Sequence, residues 1–407
     1  MPAGTSGLPS GSVTASTANN SIVANPSLTT AYTVTTTNPN TGCVSTSTIN
    51  VNVNTSNIWA GGTTNSSWFT ASNWSCGSVP TAASDVIIPN VSPNPQPIVN
   101  DSSKIALANT LTVQSNSSLT VDSGNTLKVT DKLTNNGGTI TFEDSASLVQ
   151  TNPAAVNFGN ILYKRTTSTL SNNYDFVYWS SPVAAQQIGT IWMASNWADT
   201  FYNYNPGTPG WARSYATTPM IAGKGYIARA RNGQQGWDYN NNVSTFTVGG
   251  TWNANFFGVP NNGTITVTDC VAGEYCLLGN PYPSAIDAFK FLDLPENKAV
   301  LEGTLYFWTH NTKITDNAYT SDDYASYNGT GSIATSGGSK SPSGKIAAGQ
   351  GFFAKATAAC FNANRKIASP ISFNILSSKL LKAIALMSSP ISNLNTLFKL
   401  SFKTALL

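Results

Sequence analysis

Charge is scarce in this 407-residue chain: Asp, Glu, Lys and Arg make up 10% of it, against about 25% in an ordinary soluble domain. Asn, Thr and Ser therefore carry the polarity, as in extracellular proteins. There is one histidine, His310, so a catalytic triad has a single candidate base; beside Trp308 it reads as a structural or surface group. The five cysteines, Cys43, Cys76, Cys270, Cys276 and Cys360, include no C-x-x-C spacing, which argues against a zinc site. No apolar run reaches the ~18 residues of a membrane-spanning helix. The net charge of +3 comes from six Lys and Arg after Cys360, because fifteen Lys plus Arg face eighteen Asp plus Glu before it. The clustered basic face that nucleic-acid binding needs is thus missing ahead of that tail. The opening "MPAGTSGLPSGS" lacks the basic and apolar regions of a signal peptide, so the chain reads as a fragment whose export signal lies upstream.

Aromatic and aliphatic residues are plentiful. Ten Trp, fifteen Tyr and seventeen Phe within a 40% apolar composition make intrinsic disorder a poor description. Residues 1–56 contain alternating runs around Tyr32 and Val34 and around Ile49, Val51 and Val53, joined by the turn signal Asn38 to Gly42, which predicts strands of a sandwich. The segment resembles the closing strands of the immunoglobulin-like repeats of large bacterial surface proteins, which implies a partial domain of that kind. Over 57–165, the phrases "NTLTV", "SSLTV" and "NTLKV" place Leu111, Leu119 and Leu127 at equal spacing, each followed two positions later by a Val. Short self-similar strands that must stack to bury a core predict a β-solenoid; an antiparallel meander is the alternative. Trp59, Trp68 and Trp74 precede this array, and an aromatic cap on its open end is favoured over a sugar-stacking platform.

Residues 166–360 carry an internal repeat. "IAGKGYIARA" at Ile221 and "AAGQGFFAKA" at Ala347 look like phosphate loops, but period-two placement of the residues after Gly225 and Gly351 describes strands, whereas a phosphate loop must open a helix. The glycines then supply a bend and a close approach between backbones. Upstream, "YDFVYWSSPV" matches "EYCLLGNPYP", and "TFYNYN" matches "TLYFWTHN", in the same order. An internally duplicated, jelly-roll-like β-sandwich follows, and the whole chain is expected to be all-β.

Together, "WSSPV", "AGKGYIARA", "LLGNPYPSAID", "GTLYFWTHNT", "DDYASYNGTG" and "AAGQGFFAKA" resemble a module of the very large secreted surface proteins of Bacteroidetes-type bacteria. The resemblance implies adhesin-like or gliding-associated proteins, secreted or held at the cell surface. It also implies export by type IX secretion machinery through a sorting domain not recognisable here. Residues 361–407 depart from that pattern: they lack Gly, Asp, Glu, Trp and Tyr and read as an anomalous basic tail, frameshifted or artefactual. The alternative is a membrane-seeking helix over 376–387, with Leu376, Leu380, Leu381 and Ile384 beside Lys379 and Lys382.

Candidate chemistry is sparse. The expected partners are extracellular glycans or surface proteins, and no catalytic residue or cofactor is assigned. Trp211, Trp237, Asp238 and Tyr239 sit in loop-like text suited to stacking on sugars and bonding hydroxyls; the alternative is that the tryptophans fill the core. Asp175, Asp238, Asp287, Glu302, Asp322 and Asp323 include no spacing that singles out a glycosidase pair. A calcium site at Asp316, Asp322 and Asp323 lacks the alternating ligand pattern. Cys270 and Cys276 flank Gly273 and are expected either as a disulfide across a hairpin or as two buried thiols.

Overall fold

The structure, a computed structural model, describes residues 13–16, 21–24, 30–38, 40–51, 56–62, 65–169, 176–191, 201–208, 210–229, 237–238, 243–244, 251, 253–309, 321–335, 341–360 and 371–373. The chain is all-β and divides into two compact units, Met1–Asn57 and Ile58–Leu407. In the first unit, Val13–Ser16 pairs antiparallel with Ser21–Ala24, and Thr30–Thr37 with Val44–Val51. Asn38 shapes the second turn by accepting the backbone N–H of Asn40 at 2.9 Å, the local bonding that suits Asn to turns.

The second unit opens with a three-sided parallel β-solenoid of about four turns. Its core is three stacks of side chains: Val86, Leu111 and Leu133 on one side; Val99, Val121, Phe142 and Tyr163 on the next; Ala106, Leu127 and Leu148 on the third. None is more than 2% exposed. At roughly 1.5–3 kcal/mol for each fully buried large aliphatic, stacking supplies what three- and four-residue strands cannot supply singly. Leu111, Leu119 and Leu127 lie on successive sides of one turn, and the residue stacked on Leu127 is Leu148.

Both ends of the stack are closed. At the start, Trp59 N–H bonds Ile87 O and Trp68 N–H bonds Ile98 O, each at 2.9 Å, which continues two of the ladders. The Trp74 ring meets Trp59 and Trp68 edge-on, at 5.0 and 4.7 Å. All three rings are buried, so they form the aromatic cap and offer no stacking face. At the far end, Ile161–Thr166 pairs antiparallel with Asn253–Gly258, which terminates the parallel ladder.

Between those two strands the first repeat is inserted as a four-stranded antiparallel sheet. Its order is Phe176–Trp179, Tyr226–Arg229, Phe201–Asn205, Gly210–Ser214. The second repeat is framed likewise, by Ile265–Val267 paired with Ile371–Phe373. Its sheet runs Tyr275–Gly279, Gly351–Ala356, Leu301–Trp308, Tyr324–Tyr327, Ser332–Ile333. The first four strands of that order are the duplicates of the first sheet's four. Their registers agree too: Ala228 faces Val177 and Phe201, as Ala354 faces Cys276 and Leu305. The framing strand Ile371–Phe373 lies beyond Cys360, so the second repeat extends past that residue.

The layers stack in one direction: solenoid, first sheet, second sheet, then two short helices, Ala288–Asp293 and Pro295–Lys298. Trp179, Phe201 and Tyr226 pack toward the solenoid with Phe256. Phe307 and Phe352 pack toward the helices with Phe291. Between the sheets lies an aromatic core in which each repeat contributes six residues at matching positions. Phe176, Tyr178, Tyr202, Tyr204, Trp211 and Ile227 meet Tyr275, Leu277, Tyr306, Trp308, Tyr324 and Phe353. The two sheets therefore pack about an internal pseudo-two-fold axis.

Candidate functional site

The paired glycine motifs sit at the crossing of the two sheets. Lys224 N–H bonds Ile221 O and Gln350 N–H bonds Ala347 O, each at 3.1 Å, closing matching β-turns. Gly223 (φ +83) and Gly349 (φ +62) hold the left-handed conformation at the third turn position, as a type II turn requires. The next glycine of each motif meets the other repeat's backbone. A Cβ on Gly225 would stand 2.6 Å from Leu278 O, and one on Gly351 would stand 3.0 Å from Tyr178 C. Reciprocal bonds seal the crossing: Ser180 N–H to Gly349 O at 2.7 Å and Gly279 N–H to Gly223 O at 2.9 Å. The motif is thus a turn and a strand, as its sequence pattern predicts, and no helix follows its glycines.

The polar residues before each proline hold the adjoining turns. Asn280, fully buried, donates from Nδ2 to Ser284 O, Ile346 O and Ala347 O. Ser181, its counterpart, donates from Oγ to Val183 O at 2.6 Å. Buried backbone carbonyls need such donors.

Beside the first motif the two sheets leave a cleft of about 380 Å³. One wall is the end of Phe201–Asn205. There Asn203 Oδ1 accepts from Ser214 Oγ at 3.1 Å, and Asn203 Nδ2 donates to Asn205 Oδ1 at 3.0 Å. A second wall is Tyr226, whose hydroxyl accepts Ile221 N–H at 3.0 Å. Burial raises the Tyr226 and Tyr204 phenol pKa values above the ordinary 10.0, so both are neutral hydroxyls at physiological pH. The third wall belongs to the second repeat: Leu277, Leu278 and the Cys270–Cys276 disulfide. Lys224 reaches across to pair with Asp269.

The other predicted residues lie elsewhere or outside the described residues. Trp211 is half-buried in the inter-sheet core, 5.5 Å from Tyr204 and 5.9 Å from Phe353, and does not line the cleft. Trp237–Asp238 forms a short strand paired with Val243–Ser244. Tyr239, His310, Asp316 and residues 376–387 fall outside the described residues. Asp323 is buried, and its carbonyl accepts from Thr309. Among the described residues no three His, Cys, Asp or Glu side chains converge as metal ligands. No described helix is long and apolar enough to cross a membrane. The cleft itself was not legible as a site, because Asn203, Lys224 and Asp269 come from three distant segments.

These features define an all-β protein in which a capped solenoid carries two duplicated sheets. The chain belongs to the family described as a domain of unknown function, DUF8693, which it matches over residues 58–373. No curated protein and no solved structure matches it.

Proposed function

We propose that the chain is part of a secreted or cell-surface, adhesin-like protein that spaces and presents binding surfaces and catalyses no reaction. The observation that carries this reading is the unbroken series of buried layers from the tryptophan cap to the helix pair. Such a body is a stiff spacer. Its low charge and Asn-, Thr- and Ser-rich polarity suit an extracellular setting, with glycans or surface proteins as partners and type IX machinery as the export route. Labelling intact producing cells with a membrane-impermeant amine reagent tests it: the full-length protein is expected to be modified before lysis. Modification only after lysis would sink the reading. A second reading, an accessory carbohydrate-binding module of a polysaccharide-degrading protein, is favoured by the cleft beside Lys224, whose lining mixes amides and hydroxyls with apolar side chains.

A further inference from the structure

The internal duplication supplies a comparison for every residue of the cleft. By register, Asn203 occupies the place of Phe307, Tyr226 that of Phe352, and Lys224 that of Gln350. In the second repeat that place is solid core: the Phe352 ring lies 5.6 Å from Phe291 of the helix and 5.8 Å from Phe307. The first repeat, with the same backbone, has an amide, a phenol and an ammonium there. A fold that accepts Phe307 and Phe352 as an apolar plug in one copy has no structural need for an amide and a phenol at those places in the other.

We propose that this cleft binds one or two units of a neutral saccharide, and that only the first repeat binds. The inference rests on reading the chain as a binding module, though not on where the protein resides. Four observations point to that ligand class. The Lys224–Asp269 pair leaves the lining without net charge, so neither an anion nor a cation is selected. The Asn203 and Asn205 amides combine donors and acceptors within one short strand, as vicinal hydroxyls demand. Pro206, Pro219 and Ile221 give the lining an apolar side for the C–H face of a sugar ring. The volume falls within the usual range for small-ligand sites, roughly 300–1,000 Å³. Both charged residues are anchored: Lys224 bridges to the Leu278 backbone, and Asp269 adjoins the disulfide at Cys270.

Calorimetric titration of the whole chain with methyl glycosides of glucose, galactose, mannose and N-acetylglucosamine, and with their disaccharides, tests this. At least one is expected to bind saturably, and glucuronic acid more weakly than glucose. Asn203→Phe and Lys224→Gln, which install the second repeat's residues, should each weaken binding about tenfold or more, the scale of losing one charge-assisted or sterically essential contact. The mirror change Gln350→Lys should leave affinity unchanged, and Lys224→Gln keeps the test available should Asn203→Phe fail to fold. No binding by any neutral sugar, tighter binding of glucuronic acid, or binding that survives both cleft variants but is lost in Trp237→Ala would overturn the proposal. Surface labelling that fails while sugar binding holds would remove the cell-surface reading alone.

Discussion

The two repeats share strand order, register, turn and glycine geometry, yet they cover their outer faces differently. The first leans on the end of a solenoid through Trp179, Phe201 and Tyr226. The second supplies its own cover, a helix pair whose Phe291 and Leu292 close over Phe307 and Phe352. The shared parts are those where the repeats touch each other, and the divergent parts are those where each touches something else. An interface made of matching positions constrains both copies at once. A face that meets a different neighbour is free to change, and in the first repeat it carries two of the cleft's residues, Asn203 and Tyr226, while the second repeat supplies the opposite wall.

The largest expected effect falls on the shared interface. Phe353 meets the rings of Tyr178, Tyr204 and Trp211 across the core, whereas its counterpart Ile227 offers a smaller side chain. Phe353→Ala should cost about 3–5 kcal/mol and Ile227→Ala, at the lower end of about 2–5 kcal/mol, less, read from urea unfolding midpoints. A larger loss for Ile227→Ala would break the equivalence drawn between the two positions.

Alkali should act next. Burial raises the phenol pKa of Tyr204 and Tyr226 in the first repeat and of Tyr275, Tyr282, Tyr306, Tyr324 and Tyr327 in the second, above the ordinary 10.0. A raised folded-state value means the native protein keeps protons that the unfolded chain releases. Stability is therefore intact below pH 10 and declines above it as pH rises toward the folded-state values. Melting curves from pH 8 to 11 should show the fall beginning near pH 10, with amide protection lost first in the second repeat. A flat profile would show that these phenols ionise freely in the fold.

The smallest effect isolates the helix pair. Asp287 caps Ala288–Asp293 by accepting Lys290 N–H at 3.1 Å and pairs with Lys345 at 2.7 Å. Burial pushes its carboxyl up, but Lys345 and the Lys290 amide outweigh that and hold it below the ordinary 3.8. Its contribution is present above pH 3.8 and disappears as pH falls through the lower folded-state value. Asp287→Ala should cost about 1 kcal/mol at neutral pH, and the difference from the parent should shrink in acid. An undiminished difference there would exclude the charge as its origin.

What was legible in the sequence follows the range of the forces involved. The glycine motifs announced their strands because a turn with a positive φ and a backbone crossing are local demands. Solenoid spacing was equally plain, although the stacking partner of Leu127 is Leu148 and not its neighbour in the phrase. The helix at Ala288–Asp293 passed unseen, since six residues are too few for a 3.6-residue period to emerge. Its signals were Asp287 as cap and Pro295 opening the next helix. Trp211 read as a loop ring because its partners, Tyr178 and Phe353, lie far away in sequence. The cleft needed side chains from both repeats, and only the folded chain brings them together.

The framing of the second repeat has a mechanical consequence. Ile265 pairs with Phe373, and all that lies between them forms a loop hung from that short ladder. Tension applied outside the pair would be met first at this latch, rung by rung. The sheet and helices beyond it would bear none of the load until the latch had opened.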